Sequence, residues 1–150
     1  MTMRRCVKLR LSPKKLLLLL RVAAAAIVLC FLLRIINFPR LIKILGLKEH
    51  VLQDDDCQIR DIIQAINLLS GTRFFVIRNN CLKKTLLLYY FLRRAGLKGL
   101  AINIGINKVA GKLAGHSWLT LNNEIFLDNY DNVSIYEVIY STKTNNQCDH

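Results

Sequence analysis

The chain has 150 residues, enough for one domain of ordinary size. A hydrophobic fraction of 53% with only seven Gly and two Pro excludes a disordered, collagen-like or low-complexity protein. The formal net charge of +12 points first to a polyanion, but residues 1–48 hold 11 basic residues and no acid, while residues 49–150 hold 11 basic against 10 acidic. No interleaving of basic and aromatic residues accompanies the charge, so nucleic acid is not an expected partner. A membrane surface or a partner protein is. The chain divides accordingly into a basic, apolar helical arm (1–48), a nearly neutral body (49–140) and a flexible tail (141–150).

In the arm, residues 16–33 are apolar except for Arg21. A spanning helix needs about 20 such residues. A buried helix, an interfacial helix and a single pass through residues 16–36 all fit this segment. No small-x-small cleavage site follows it, so it does not read as a signal peptide. Phe38-Pro39 breaks the run, and Arg40 to Leu45 reads as a short helix closed by Gly46.

In the body, Asp54-Asp55-Asp56 reads as a solvated helix cap; a calcium loop would need a Gly and a distal Glu that are missing. Ile59, Ile62, Ile63 and Ile66 recur at the helical period, ending near Gly71. Thr72 to Arg78 reads as a connector, and Asn79-Asn80 as the N-cap of a second helix running from Cys81 to about Ala95, with Gly96 as its stop. That helix is apolar nearly all round, so other elements must bury it. The period then becomes two. Leu100, Ile102, Ile104 and Ile106 define a strand with one face in the core. Residues 107–114 read as a loop, 116–121 and 125–128 as two further strands, and 134–140 as a fourth. Helices followed by an antiparallel β-meander place the protein in the α+β class.

The five cysteines, Cys6, Cys30, Cys57, Cys81 and Cys148, form no C-x-x-C pair and are odd in number. This fits reduced thiols in a cytoplasmic protein rather than a zinc ribbon or a disulfide scaffold. Neither His50 nor His150 clusters with them. Cys81 differs from the other four in opening a buried helix, where backbone N–H groups and the helix dipole stabilise negative charge on sulfur. His116 opens the second strand and Asp128 ends the third. A two-residue turn at Asn122-Asn123 would pair Leu121 with Glu124 and put His116 and Asp128 on opposite faces. A three-residue turn pairs Leu121 with Ile125. His116, Trp118, Thr120, Phe126 and Asp128 then share one face, opposite Leu119, Leu121, Ile125 and Leu127. The apolar alternation favours the three-residue register. Cys81, His116 and Asp128 then supply a nucleophile, a base and an orienting acid. Set against this, a single Cys among five is usually a small core hydrophobe, and a His beside a Trp is often only packed.

The run Asn80-Cys81-Leu82, a Leu-rich helix, Leu92-Arg93-Arg94-Ala95-Gly96, Ile102–Ile106 with Gly105, His116-Ser117-Trp118 and Asp128 resembles the transglutaminase-like cysteine peptidase of lasso-peptide biosynthesis. The closer likeness is to the stand-alone leader peptidase of systems whose leader-recognition domain is a separate protein. The resemblance covers roughly residues 59–130, and residues 14–48 fit it loosely. Ser117 stands where the family usually has Ala, which leaves the chemistry intact and bears only on substrate preference. The resemblance implies a transglutaminase-like/papain-like fold, with Cys81 as nucleophile, His116 as base and Asp128 as orienting acid. It implies no metal and no cofactor. The implied substrate is a ribosomally made precursor peptide, and the implied partners are a leader-recognition protein and an ATP-dependent macrolactam synthetase. A transglutaminase-like acyltransferase and a non-catalytic, membrane-associated binding subunit are the alternatives. Asn79 and Asn80 are further candidates for an oxyanion donor, and Trp118 for shielding the catalytic pair.

Overall fold

The computed structural model describes residues 13–46, 56–71, 81–109 and 111–142. The arm contributes α1 (Pro13–Ile35) and α2 (Phe38–Gly46). Pro39 lies in the first turn of α2, where a missing N–H is harmless, so this helix begins two residues before Arg40. The body adds α3 (Asp56–Gly71) and α4 (Cys81–Arg94), then β1 (Leu100–Val109), β2 (Lys112–Leu121), β3 (Glu124–Phe126), α5 (Tyr130–Val133) and β4 (Glu137–Ser141). The expected Thr72–Arg78 connector and the Asn79-Asn80 cap lie outside the described residues, as do Asp54, Asp55, His50 and His150.

Helix α4 is the centre of the molecule. Thr85, Leu86, Leu87, Leu88, Tyr89 and Leu92 are buried on it, which accounts for its apolar circumference. Helices α1, α2 and α3 pack on α4, and so do strands β1 and β2. Its end is a Schellman motif: Leu97 N–H donates to the Leu92 carbonyl, Gly96 N–H donates to that of Arg93, and Gly96 has φ +96°. Val22, Ala26 and Leu29 of α1 and Leu41 and Ile42 of α2 join one core with Ile62, Ile66, Leu86, Leu92, Ile102 and Leu119. The described part of the arm thus shares the body's core.

The sheet has the order β3-β2-β1-β4, and every neighbouring pair is antiparallel. The first three strands form the expected meander. The fourth does not extend it: the chain crosses back through α5 and pairs on the far side of β1. Part of the segment read as the fourth strand is therefore connection, and β4 begins at Glu137. It runs to Ser141, and Thr142 follows it into the core, exchanging hydrogen bonds with the backbone of Ile102. The residues after Thr142 lie outside those described.

Two local expectations change. Residues 107–114 are not a loop. Strands β1 and β2 run on until Val109 pairs with Lys112, and Gly111 turns the chain at φ +79°. The turn after β2 has two residues, not three, because Leu121 pairs with Glu124. Asn122 (φ +49°) and Asn123 (φ +80°) are both left-handed, as a type I′ hairpin turn requires, and Asn tolerates that region well. Phe126 therefore lies opposite Leu119 and packs in the core with it, not on the face of His116.

Candidate functional site

The two-residue turn should have separated His116 from Asp128. Continued as a strand, β3 would set Asp128 opposite Ser117 and turn its side chain toward α4. The strand instead stops at Phe126, and Leu127 adopts φ +62°. That left-handed residue costs about 1–2 kcal/mol for a side chain with a Cβ. It swings Asp128 round to His116, and the carboxylate Oδ2 lies 2.8 Å from Nε2 of the imidazole. The pair predicted from the sequence forms, by a backbone route that no strand pattern encodes.

Both carboxylate oxygens of Asp128 have work. Oδ1 accepts the Asn129 backbone N–H at 2.8 Å, which fixes the rotamer that presents Oδ2 to the ring. With Nε2 held by Asp128, Nδ1 is the ring nitrogen left for proton exchange with another group. Trp118 stacks on the imidazole with centroids 6.0 Å apart, and Tyr136 leans against it at 5.2 Å. His116 is thus clamped between two aromatic rings with its side chain about one quarter exposed. Trp118 itself is buried, which is the packing role. Gly105 makes the clamp possible. A Cβ there would stand 2.9 Å from Trp118 Cη2, 2.9 Å from Tyr136 Cβ and 3.0 Å from the Glu137 carbonyl.

Cys81 is the first residue of α4 and is half-buried. Its Sγ lies 4.0 Å from the carbonyl oxygen of Gly115, the residue before His116. The helix is held over β2 by Thr85, whose hydroxyl donates to the Ser117 carbonyl at 3.0 Å, while the Ser117 hydroxyl donates to Thr85 Oγ1. Ser117 and Leu119 therefore face α4, and His116 and Trp118 alternate to the other side. They converge with Cys81 at an edge. Strand β3 pairs only with Leu119–Leu121, so among the described residues β2 from Lys112 to Trp118 has no strand partner on that side. A cleft of about 280 Å³ opens there, lined by Cys81, Lys84, Thr85, His116, Trp118 and Asp128 among others.

The chain as a whole has a match beyond this molecule. A family model described as the transglutaminase-like superfamily matches residues 25–141, most of the chain. The chain belongs to the transglutaminase-like superfamily. That superfamily includes cysteine peptidases and acyltransferases, and the transglutaminase-like match begins within α1, consistent with the core that α1 shares with the body. No curated protein and no solved structure gave a significant match.

Three site features escaped the sequence reading. Tyr136 reaches the site through the crossover before β4, and no local pattern announces it. Leu127 turns the backbone against the preference of its residue type. The Thr85–Ser117 link was signalled only by a polar residue in an otherwise apolar helix face. Asn79 and Asn80, the other oxyanion candidates, lie outside the described residues.

Proposed function

We propose that the protein is a cysteine peptidase that removes the leader from a ribosomally made lasso precursor peptide before macrolactam formation. The observation that carries the catalytic part is the 2.8 Å His116–Asp128 pair in a cleft that Cys81 also lines. The substrate rests on the sequence resemblance described above. In this reading Cys81 is the nucleophile, His116 the acid–base and Asp128 the group that orients it. His116 takes the thiol proton, and the Cys81 sulfur attacks the carbonyl carbon at the leader–core junction. The C–N bond breaks as His116 returns the proton to the leaving amine. The leader remains as a thioester on Cys81 until water, deprotonated by His116, releases it. Backbone N–H groups at the start of α4, that of Cys81 included, are the natural donors to the oxyanion. The freed core amine is then a substrate for an ATP-dependent macrolactam synthetase, and a separate recognition protein delivers the leader.

Among the described residues one helix, α1, is long and apolar enough by composition to cross a membrane, a test that core helices and signal sequences also pass. We place the protein in the cytoplasm, associated with the membrane through this helix, either at its surface or by a single pass through residues 16–36.

Co-expression of the chain with precursor and recognition protein, read by mass spectrometry, tests the activity. A precursor cut at one junction into leader and core supports the peptidase. A crosslinked product with no cut would assign the site to an acyltransferase, the second activity of the superfamily. Unmodified precursor beside a folded protein would leave only the binding-subunit reading.

A further inference from the structure

Helix α1 is apolar on two opposite sides, and only one of them is used. At about 100° per residue, Val22, Ala26 and Leu29 fall together on the side packed against the body, where they are at most 4% exposed. Lys15 falls on that side too and pairs with Asp61 of α3 at 3.0 Å. The opposite side carries Leu16, Leu17, Leu20, Ile27, Val28, Phe31 and Ile35, each between 49% and 79% exposed. Around the helix these residues occupy an arc of about 120°. The cations of that side sit at its margins: Lys14 and Arg21 on one flank and Arg34 on the other, all exposed. There is no acid between Pro13 and Gly46, and exposed Arg40 and Lys43 continue the charge in α2.

An apolar arc rimmed by cations has the chemistry of a helix lying in the headgroup region of an anionic bilayer, with its long basic side chains snorkelling to phosphates. A basic rim with no acid repels a basic partner and a second copy of itself. A spanning orientation would strip Val22, Ala26 and Leu29 from the core. We propose that the outward face of α1 is a monotopic docking surface for an anionic lipid bilayer, with the helix in the membrane plane and its inner face still packed on α3 and α4. This sharpens the membrane part of the proposed function and is independent of the peptidase part.

The test is co-sedimentation of the full chain with vesicles of phosphatidylcholine, with and without phosphatidylglycerol. Binding that strengthens with phosphatidylglycerol and is released by alkaline carbonate is expected. Leu20→Glu and Phe31→Glu replace exposed residues, so circular dichroism should be unchanged while each weakens binding at least about tenfold. Arg21→Gln and Arg34→Gln should each weaken binding to the anionic vesicles about fivefold and leave that to neutral vesicles unchanged. The proposal is overturned if the folded chain ignores vesicles, or if the Glu variants bind as the wild type does. It is equally overturned if carbonate fails to release the protein and added protease digests the body but not residues before α1, the pattern of a span. A soluble dimer that Phe31→Glu dissociates, without vesicle binding, would assign the face to a second copy and overturn it as well.

Discussion

Leu127 offers the sharpest handle on the site, because it separates backbone geometry from side-chain chemistry. Its φ of +62° is what carries Asp128 from the strand path to His116. Proline holds φ near −65°, so Leu127→Pro forces a rotation of about 130° at this position. Phe126 is already extended in β3, the conformation a following proline favours, so the damage should stay local. The carboxylate then points away from Nε2, and His116 loses the group that orients it. A positioned acid–base contributes roughly 10²–10⁴-fold to rate, so precursor cleavage should fall by about that factor while the protein remains folded. Leu127→Gly is the companion. Glycine accepts positive φ without the penalty of about 1–2 kcal/mol, against an unfolded-state entropy loss of about 0.5–1 kcal/mol. Stability should therefore change by no more than about 1 kcal/mol, and kcat/KM should stay within about threefold. In an Asp128→Ala background, Leu127→Pro should have no further effect, because the two act through one contact. Steady-state cleavage followed by chromatography, with urea unfolding as the control, reads all four proteins. Wild-type cleavage by Leu127→Pro would refute the reasoning. An equal loss in Leu127→Gly would shift the role from the backbone turn to the leucine side chain.

Three other outcomes follow from the same geometry. Gly105→Ala pushes a methyl against Trp118, Tyr136 and the Glu137 carbonyl, so the urea midpoint should drop by the equivalent of about 1–3 kcal/mol. Trp118 is the chain's single tryptophan, so its fluorescence reports directly whether the clamp on His116 has moved. Thr85→Val keeps the shape but deletes both hydrogen bonds of the Thr85–Ser117 link, which should cost about 1–3 kcal/mol in equilibrium unfolding. Iodoacetamide at neutral pH should modify Cys81 faster than Cys57, as followed by peptide mapping. Cys57 is the more exposed of the two, so accessibility alone predicts the reverse order.

The helices were legible because burial on one side leaves a 3.6-residue trace, as in Ile59, Ile62, Ile63 and Ile66. Helix α4 was legible for the opposite reason, having no polar face at all. The observed register of β2 and β3 differs from the expected one because Leu127 is not a strand residue. Paired with Ile125, it seemed to complete an apolar face with Leu119 and Leu121. Without it, Phe126 opposite Leu119 continues the core face, and the Asn122-Asn123 pair, able to take two left-handed conformations, closes the hairpin. Residues 107–114 passed for a loop because Lys108, Lys112 and exposed Leu113 lie on a hairpin arm with little core to face. The residue types and chain order point to His116 and Asp128 whatever the register; the geometry that joins them comes from one backbone angle with no sequence signature. Tyr136 was invisible for a different reason, since its position depends on which side of β1 the last strand takes.

The most direct measurement is cleavage of the precursor by Cys81→Ala protein in the presence of the recognition protein. Removing one sulfur at the half-buried start of α4 should leave the unfolding transition nearly unchanged. With Cys81 as the nucleophile, the variant is a folded protein that still binds the precursor and cuts none of it. Cleavage at the wild-type rate by the folded Cys81→Ala protein would contradict that role.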